Sequence, residues 1–126
     1  MDITQNLLQS GQKIDVIFAN NEDMAGGVIQ VLKEQNKLGE IAVVSTGGSP
    51  EGIELIKAGE LEMVAAGSAG LEGALCFKAC FDTVNGVSVP KVINPPVQIA
   101  TKENIDTVMT WKVSDDMINF VENYKY

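Results

Sequence analysis

The 126-residue chain reads as an α/β domain built on a doubly wound parallel sheet. Three observations predict this class. Short runs of β-branched and aliphatic residues alternate with longer segments of helical periodicity. Turns rich in Asn, Gly and Ser separate the two kinds of segment. Strands that alternate with helices pair in parallel through crossovers rather than through hairpins.

Each element follows from local pattern. Residues 3–9 spell a first helix that Gly11 terminates. Val16, Ile17 and Phe18 mark a buried-type strand over 14–19. Met24, Val28, Val31 and Leu32 recur at the i, i+4, i+7, i+8 spacing of a helix face, which predicts a helix over 22–35. The polar turn Asn20-Asn21-Glu22-Asp23 joins the two. Asn36-Lys37-Leu38-Gly39 turns the chain into a second buried-type strand, 41–44. Ser49-Pro50-Glu51 opens the next helix with an N-cap residue, a proline in the first turn and an acid at the positive dipole end, and Gly59 closes it. A third strand spans 61–66. A broad apolar surface of Leu71, Ala74, Leu75, Phe77, Cys80, Phe81 and Val84 predicts a helix over 69–84, stopped by Asn85-Gly86. Residues 89–96 carry Pro90, Pro95 and Pro96 and read as an extended connection into a short strand, 97–100. A single helical turn is expected within 101–108, and Ser114-Asp115-Asp116 starts a last helix with Met117, Phe120, Val121 and Tyr124 on one face.

Composition removes several classes of function. Seventeen acids against nine bases give a formal charge of −8, which repels a phosphate backbone, so no nucleic-acid partner is expected. The chain has no histidine, which removes the commonest general base and transition-metal ligand, and with them Ser–His–Asp and Cys–His chemistry. Cys76 and Cys80 stand one helical turn apart in an apolar stretch without the further ligands of a tetrahedral zinc site, and are expected to be buried thiols. No metal or cofactor is therefore predicted. The apolar runs fall short of a membrane span, and Met1-Asp2-Ile3-Thr4 is no signal peptide.

The candidate site lies where three strands end. In open α/β sheets ligands bind at the carboxyl edge, and that edge receives Asn20-Asn21, then Thr46-Gly47-Gly48-Ser49-Pro50, then Gly67-Ser68-Ala69-Gly70. Each loop has a plain structural reading as well. Asn21 caps a helix, paired glycines make a tight turn, and Glu22 and Asp23 serve a helix dipole. The glycine loops match neither a P-loop nor the dinucleotide fingerprint. Convergence of all three on one rim favours a ligand cleft formed by Asn21, Gly47, Gly48 and Ser68.

Four stretches carry a family resemblance. Ala19-Asn20-Asn21-Glu22-Asp23-Met24-Ala25-Gly26-Gly27, Val43-Val44-Ser45-Thr46-Gly47-Gly48-Ser49-Pro50-Glu51-Gly52, Ile56-Lys57-Ala58-Gly59-Glu60-Leu61 and Ala100-Thr101-Lys102-Glu103-Asn104-Ile105-Asp106 resemble, in order and spacing, the C-terminal part of ribose-type periplasmic sugar-binding proteins. The likeness runs from residue 6 to about residue 106. These are type I solute-binding proteins of ABC transporters, with two α/β lobes that close on a small polar solute. The resemblance implies that the chain has no catalytic residue and is a non-enzyme, that 1–110 form an incomplete C-terminal lobe, that 69–96 pack on an N-terminal lobe outside this chain, and that 111–126 are a helical extension.

Carried over residue by residue, the ligand-contacting amide of the family falls on Asn21. Its sugar-binding aspartate falls on Gly47 and its glutamine on Ala66, so both of those side chains are missing. The partners implied are a sugar-like ligand, the missing lobe, and an ABC permease or chemoreceptor, in a parent protein of the periplasm or extracellular space. A homo-oligomer or a complex with the rest of the parent is expected. The alternative is a ligand-sensing or protein-interaction domain of a signalling protein. A receiver-like phosphoacceptor is excluded by Ala19, Ser45 and Ala66, which put no acid at the strand ends, and a DNA-binding regulator by the lack of a basic helix-turn-helix arm.

Overall fold

In the computed structural model, residues 2–109 and 111–126 are described. Met1 and Thr110, the two ends of the expected lobe, lie outside the described residues. The elements are α1 (Asp2–Gln9), β1 (Val16–Ala19), α2 (Glu22–Glu34), β2 (Ala42–Gly47), α3 (Pro50–Ala58), β3 (Met63–Ala66), α4 (Ala69–Val84), β4 (Gln98–Ala100), a 3-10 turn (Ile105–Thr107) and α5 (Asp115–Glu122). The sheet is open, in the order β1-β2-β3-β4. β1, β2 and β3 are parallel, and β4 returns antiparallel to β3.

Short polar side chains fix where the helices begin. Asn21, Ser49, Ser68 and Ser114 each accept a bond from the backbone N–H three residues on, satisfying one of the unpaired donors of a first turn. Gly59 then ends α3 in the left-handed conformation.

The sheet is wound on one side within this chain. Strands added in one direction through right-handed crossovers place their helices on a common face. Along that face lie Ala19, Val43, Ser45, Val64, Ala66 and Ala100, all buried, and they meet Val28, Ile29, Leu32 and Ile56 from α2 and α3. The opposite face carries Val16, Phe18 and Ile99, which remain at least half exposed. The sequence reading of β1 as buried on both sides is corrected here. Its alternate residues Val16 and Phe18 belong to a face that no helix among the described residues covers at these positions.

A second, smaller cluster joins α4 to the tail. Leu71 and Leu75 of α4 bury against Met117 of α5, flanked by Phe120, Val121 and Tyr124. These two leucines are therefore covered by the chain itself. Phe77, Phe81 and Val84, on the other side of α4, stay exposed. Cys76 and Cys80 share that exposure, contrary to their expected burial. The reason is geometric: α4 is apolar on most of its circumference, and α5 covers only one stripe of it.

Candidate ligand-binding site

The carboxyl ends of the three parallel strands are tied into one rim. Thr46 Oγ1 donates to the carbonyl of Asn20 at 3.0 Å, linking the ends of β1 and β2. The Gly67 N–H donates to the carbonyl of Gly47 at 2.8 Å, linking β2 to β3. The Trp111 Nε1–H donates to the carbonyl of Gly67 at 3.1 Å, attaching the tail. The convergence of three loops expected from strand order is thus a hydrogen-bonded structure.

Glu22 is the hidden centre of this rim. It is buried, and its Oε1 accepts from the N–H of Gly48 and, at 3.1 Å, from the N–H of Ser49, at the N-terminus of α3. A carboxylate is well placed there, because free N–H groups and the helix dipole both favour negative charge. The sequence reading gave Glu22 to the dipole of its own helix; the side chain instead crosses to the next one. This is the structural feature of the rim that sequence reasoning missed. Its one signal was the glycine pattern, since a Cβ at Gly47 or Gly52 would strike the Glu22 carboxylate. Gly47 and Gly48 also take φ of 142° and 101°, a region open chiefly to glycine.

The four predicted contacts come out differently. Asn21 is exposed, and its Oδ1 accepts from the Met24 N–H at 2.9 Å, so its oxygen is occupied in capping α2. Gly48 has its N–H on Glu22. Ser68 is buried and caps α4 through its Oγ, which accepts from Leu71 N–H at 3.2 Å. Gly47 lies on the wall of an open cleft of about 480 Å³, together with Thr46, Gly67, Glu72, Val97 and Trp111. A larger trough of about 740 Å³ runs between α2 and α3, lined by Asp23, Glu51 and Glu54, the last of which pairs with Lys57 at 3.7 Å. Among the described residues no group of three or more acids and cysteines is placed to hold a metal.

A profile of the periplasmic binding protein domain matches residues 1–88. The chain belongs to the periplasmic binding protein family. Its relatives include the ribose import binding protein RbsB of Bacillus subtilis, 29% identical over 103 residues, or 82% of this chain and 33% of that protein. The D-allose-binding periplasmic protein of Escherichia coli is 33% identical over 82 residues, 65% of this chain and 26% of its own length. Among solved structures, an ABC transporter solute binding protein from Bacillus halodurans with bound myo-inositol superposes with a TM-score of 0.75 at 31% identity, covering 83% of this chain and 36% of that one. A counterpart from Actinobacillus succinogenes with bound D-allose reaches a TM-score of 0.80 at 23% identity, covering 85% and 37%, and shows the shared fold. The chain spans about a third of the length of the first of these curated relatives.

Proposed function

We propose that this member of the periplasmic binding protein family contributes one wall of a cleft for a small cyclic polyol or sugar, as part of the solute-binding component of an ABC importer. The observation that carries the reading is the tied rim at the carboxyl ends of β1, β2 and β3, in a chain whose family relatives include proteins named for ribose and D-allose. The work is binding rather than chemistry. Rigid loops present polar groups to hydroxyls, and a second lobe of the parent closes over the ligand. The parent protein then acts in the periplasm or outside the cell, beside its permease.

Within this wall Asn21 offers its amide nitrogen and Gly47 its backbone, whereas Gly48 and Ser68 support the loops from behind. Ligand pockets bury most of their ligand's surface, and one wall leaves much of it wet. Binding by this chain alone is accordingly expected to be weak, in the millimolar range. Saturation-transfer NMR with D-ribose, D-allose and myo-inositol tests the reading. Transfer to at least one of them supports it, and no transfer from the folded chain to any of the three contradicts it.

A further inference from the structure

We propose that Glu72 and Trp111 form the ligand-gripping side of the cleft at the carboxyl ends of β2 and β3, with the carboxylate taking ring hydroxyls and the indole face taking the ring's C–H surface. The proposal rests on the sugar-binding reading and assigns it residues that the sequence pattern did not reveal. Both residues line the 480 Å³ cleft together with Thr46 and Gly47. That size lies within the range of small-molecule pockets.

Trp111 is held at the rim and stays partly exposed. Its one polar group is satisfied by the Gly67 carbonyl at 3.1 Å, which fixes the ring at the rim, and the residue keeps 42% of its surface exposed. An indole with its N–H already paired offers an apolar face, the part of an aromatic ring suited to the C–H side of a sugar. Gly70 permits the placement, since a Cβ there would come within 2.8 Å of the Trp111 carbonyl oxygen.

Glu72 is the available carboxylate of the cleft. It is exposed in the first turn of α4, and no hydrogen bond or ion pair engages its side chain among the described residues. It lies against the same loop as the tryptophan: its Oε1 would be 3.1 Å from a Cβ built on Gly67. Glu22, the other acid close to the rim, is occupied by the N–H groups of Gly48 and Ser49. A carboxylate with free lone pairs accepts two hydroxyl bonds side by side, so it favours vicinal diols over isolated hydroxyls. Glu72 thereby supplies the acid that Gly47 cannot, from a different element.

The chain has a single tryptophan, so its fluorescence reports on this cleft. Titration with myo-inositol and D-allose, followed by fluorescence and in parallel by saturation-transfer NMR, is expected to show a saturable fluorescence change. Glu72→Gln removes the charge from an exposed, unpartnered side chain and keeps the fold, and it should weaken binding by about fivefold or more. Trp111→Phe, read by saturation transfer, should weaken it comparably. Saturation transfer with unchanged fluorescence and with both variants binding like the parent chain would overturn this inference and leave the sugar reading standing. Absence of transfer to myo-inositol, to D-allose and to D-ribose alike would overturn the sugar reading and this inference with it.

Discussion

Glu22 carries more of the rim than any residue that points outward. Its carboxylate satisfies two buried N–H groups at the start of α3, and the glycines at 47 and 52 leave room for it. Truncating it strands those donors, so Glu22→Ala is expected to destabilise the chain by about 1–3 kcal/mol. Its exposed neighbour Asp23 has no such bond, and Asp23→Ala should stay within about 0.5 kcal/mol. Urea denaturation of the two variants checks this; equal losses would mean that both acids act only on the dipole of α2. Residue-level reading of the sequence located the rim but not its interior. Asn21, Gly47 and Ser68 stand at the strand ends as strand order required, whereas the bond from Glu22 to Gly48 spans 26 positions and leaves only a spacing of glycines as its trace.

At the scale of elements, α4 and the tail make the clearest predictions. Cys76 and Cys80 lie on the uncovered side of α4, so both thiols should react with a thiol reagent in the folded chain without prior unfolding. Protection of both until the chain melts would restore the burial expected from composition. Such burial could not have been judged from periodicity, because a helix apolar on most sides does not announce which stripe its partner takes.

The other end of α4 is latched to the C-terminus. Lys78 pairs with Asp82 at 2.8 Å, Tyr126 donates its hydroxyl to Asp82 at 2.9 Å, and the Lys78 ammonium lies 5.6 Å from the Tyr126 ring centre. The bond from Lys78, and then that from Tyr126, hold the Asp82 carboxyl below its ordinary 3.8. Partial withdrawal from solvent and the bond to Asp82 push the Tyr126 phenol up to about 12. A raised phenol favours the folded form while neutral, so its contribution is complete below pH 10 and is lost as pH rises from 10 to about 12. A lowered carboxyl favours the folded form while ionised, so its contribution holds above pH 3.8 and is lost as pH falls below that. The melting temperature should therefore fall as pH rises from 10 to about 12, and Tyr126→Phe should flatten that limb. An identical alkaline profile in the variant would show the latch to be idle.

The whole molecule is one face short of a closed layer. Val16, Phe18 and Ile99 occupy the bare side of the sheet, and Phe77, Phe81 and Val84 the bare side of α4. Apolar surface of this kind marks an interface when it is contiguous, and β1 at the sheet's edge offers unpaired backbone groups as well. Sedimentation at micromolar concentration is expected to show self-association of the isolated chain. A single compact monomer with a cooperative melt would mean that these surfaces are tolerated in water. The α/β class was legible because caps and turns mark every helix start from Asn21 onward. The one-sided winding was not, since an apolar run such as Val16-Ile17-Phe18 looks the same whether one face or both are covered.

The most direct test of the central claim, that the carboxyl edge of the sheet is a binding wall for a cyclic polyol, is a titration of the isotope-labelled chain with myo-inositol followed by amide and indole shifts. The account predicts that Thr46, Gly47, Gly67, Glu72 and the Trp111 indole move together along one saturating curve. Shifts confined to the trough between α2 and α3, or to the bare face of Phe18 and Ile99, would contradict it.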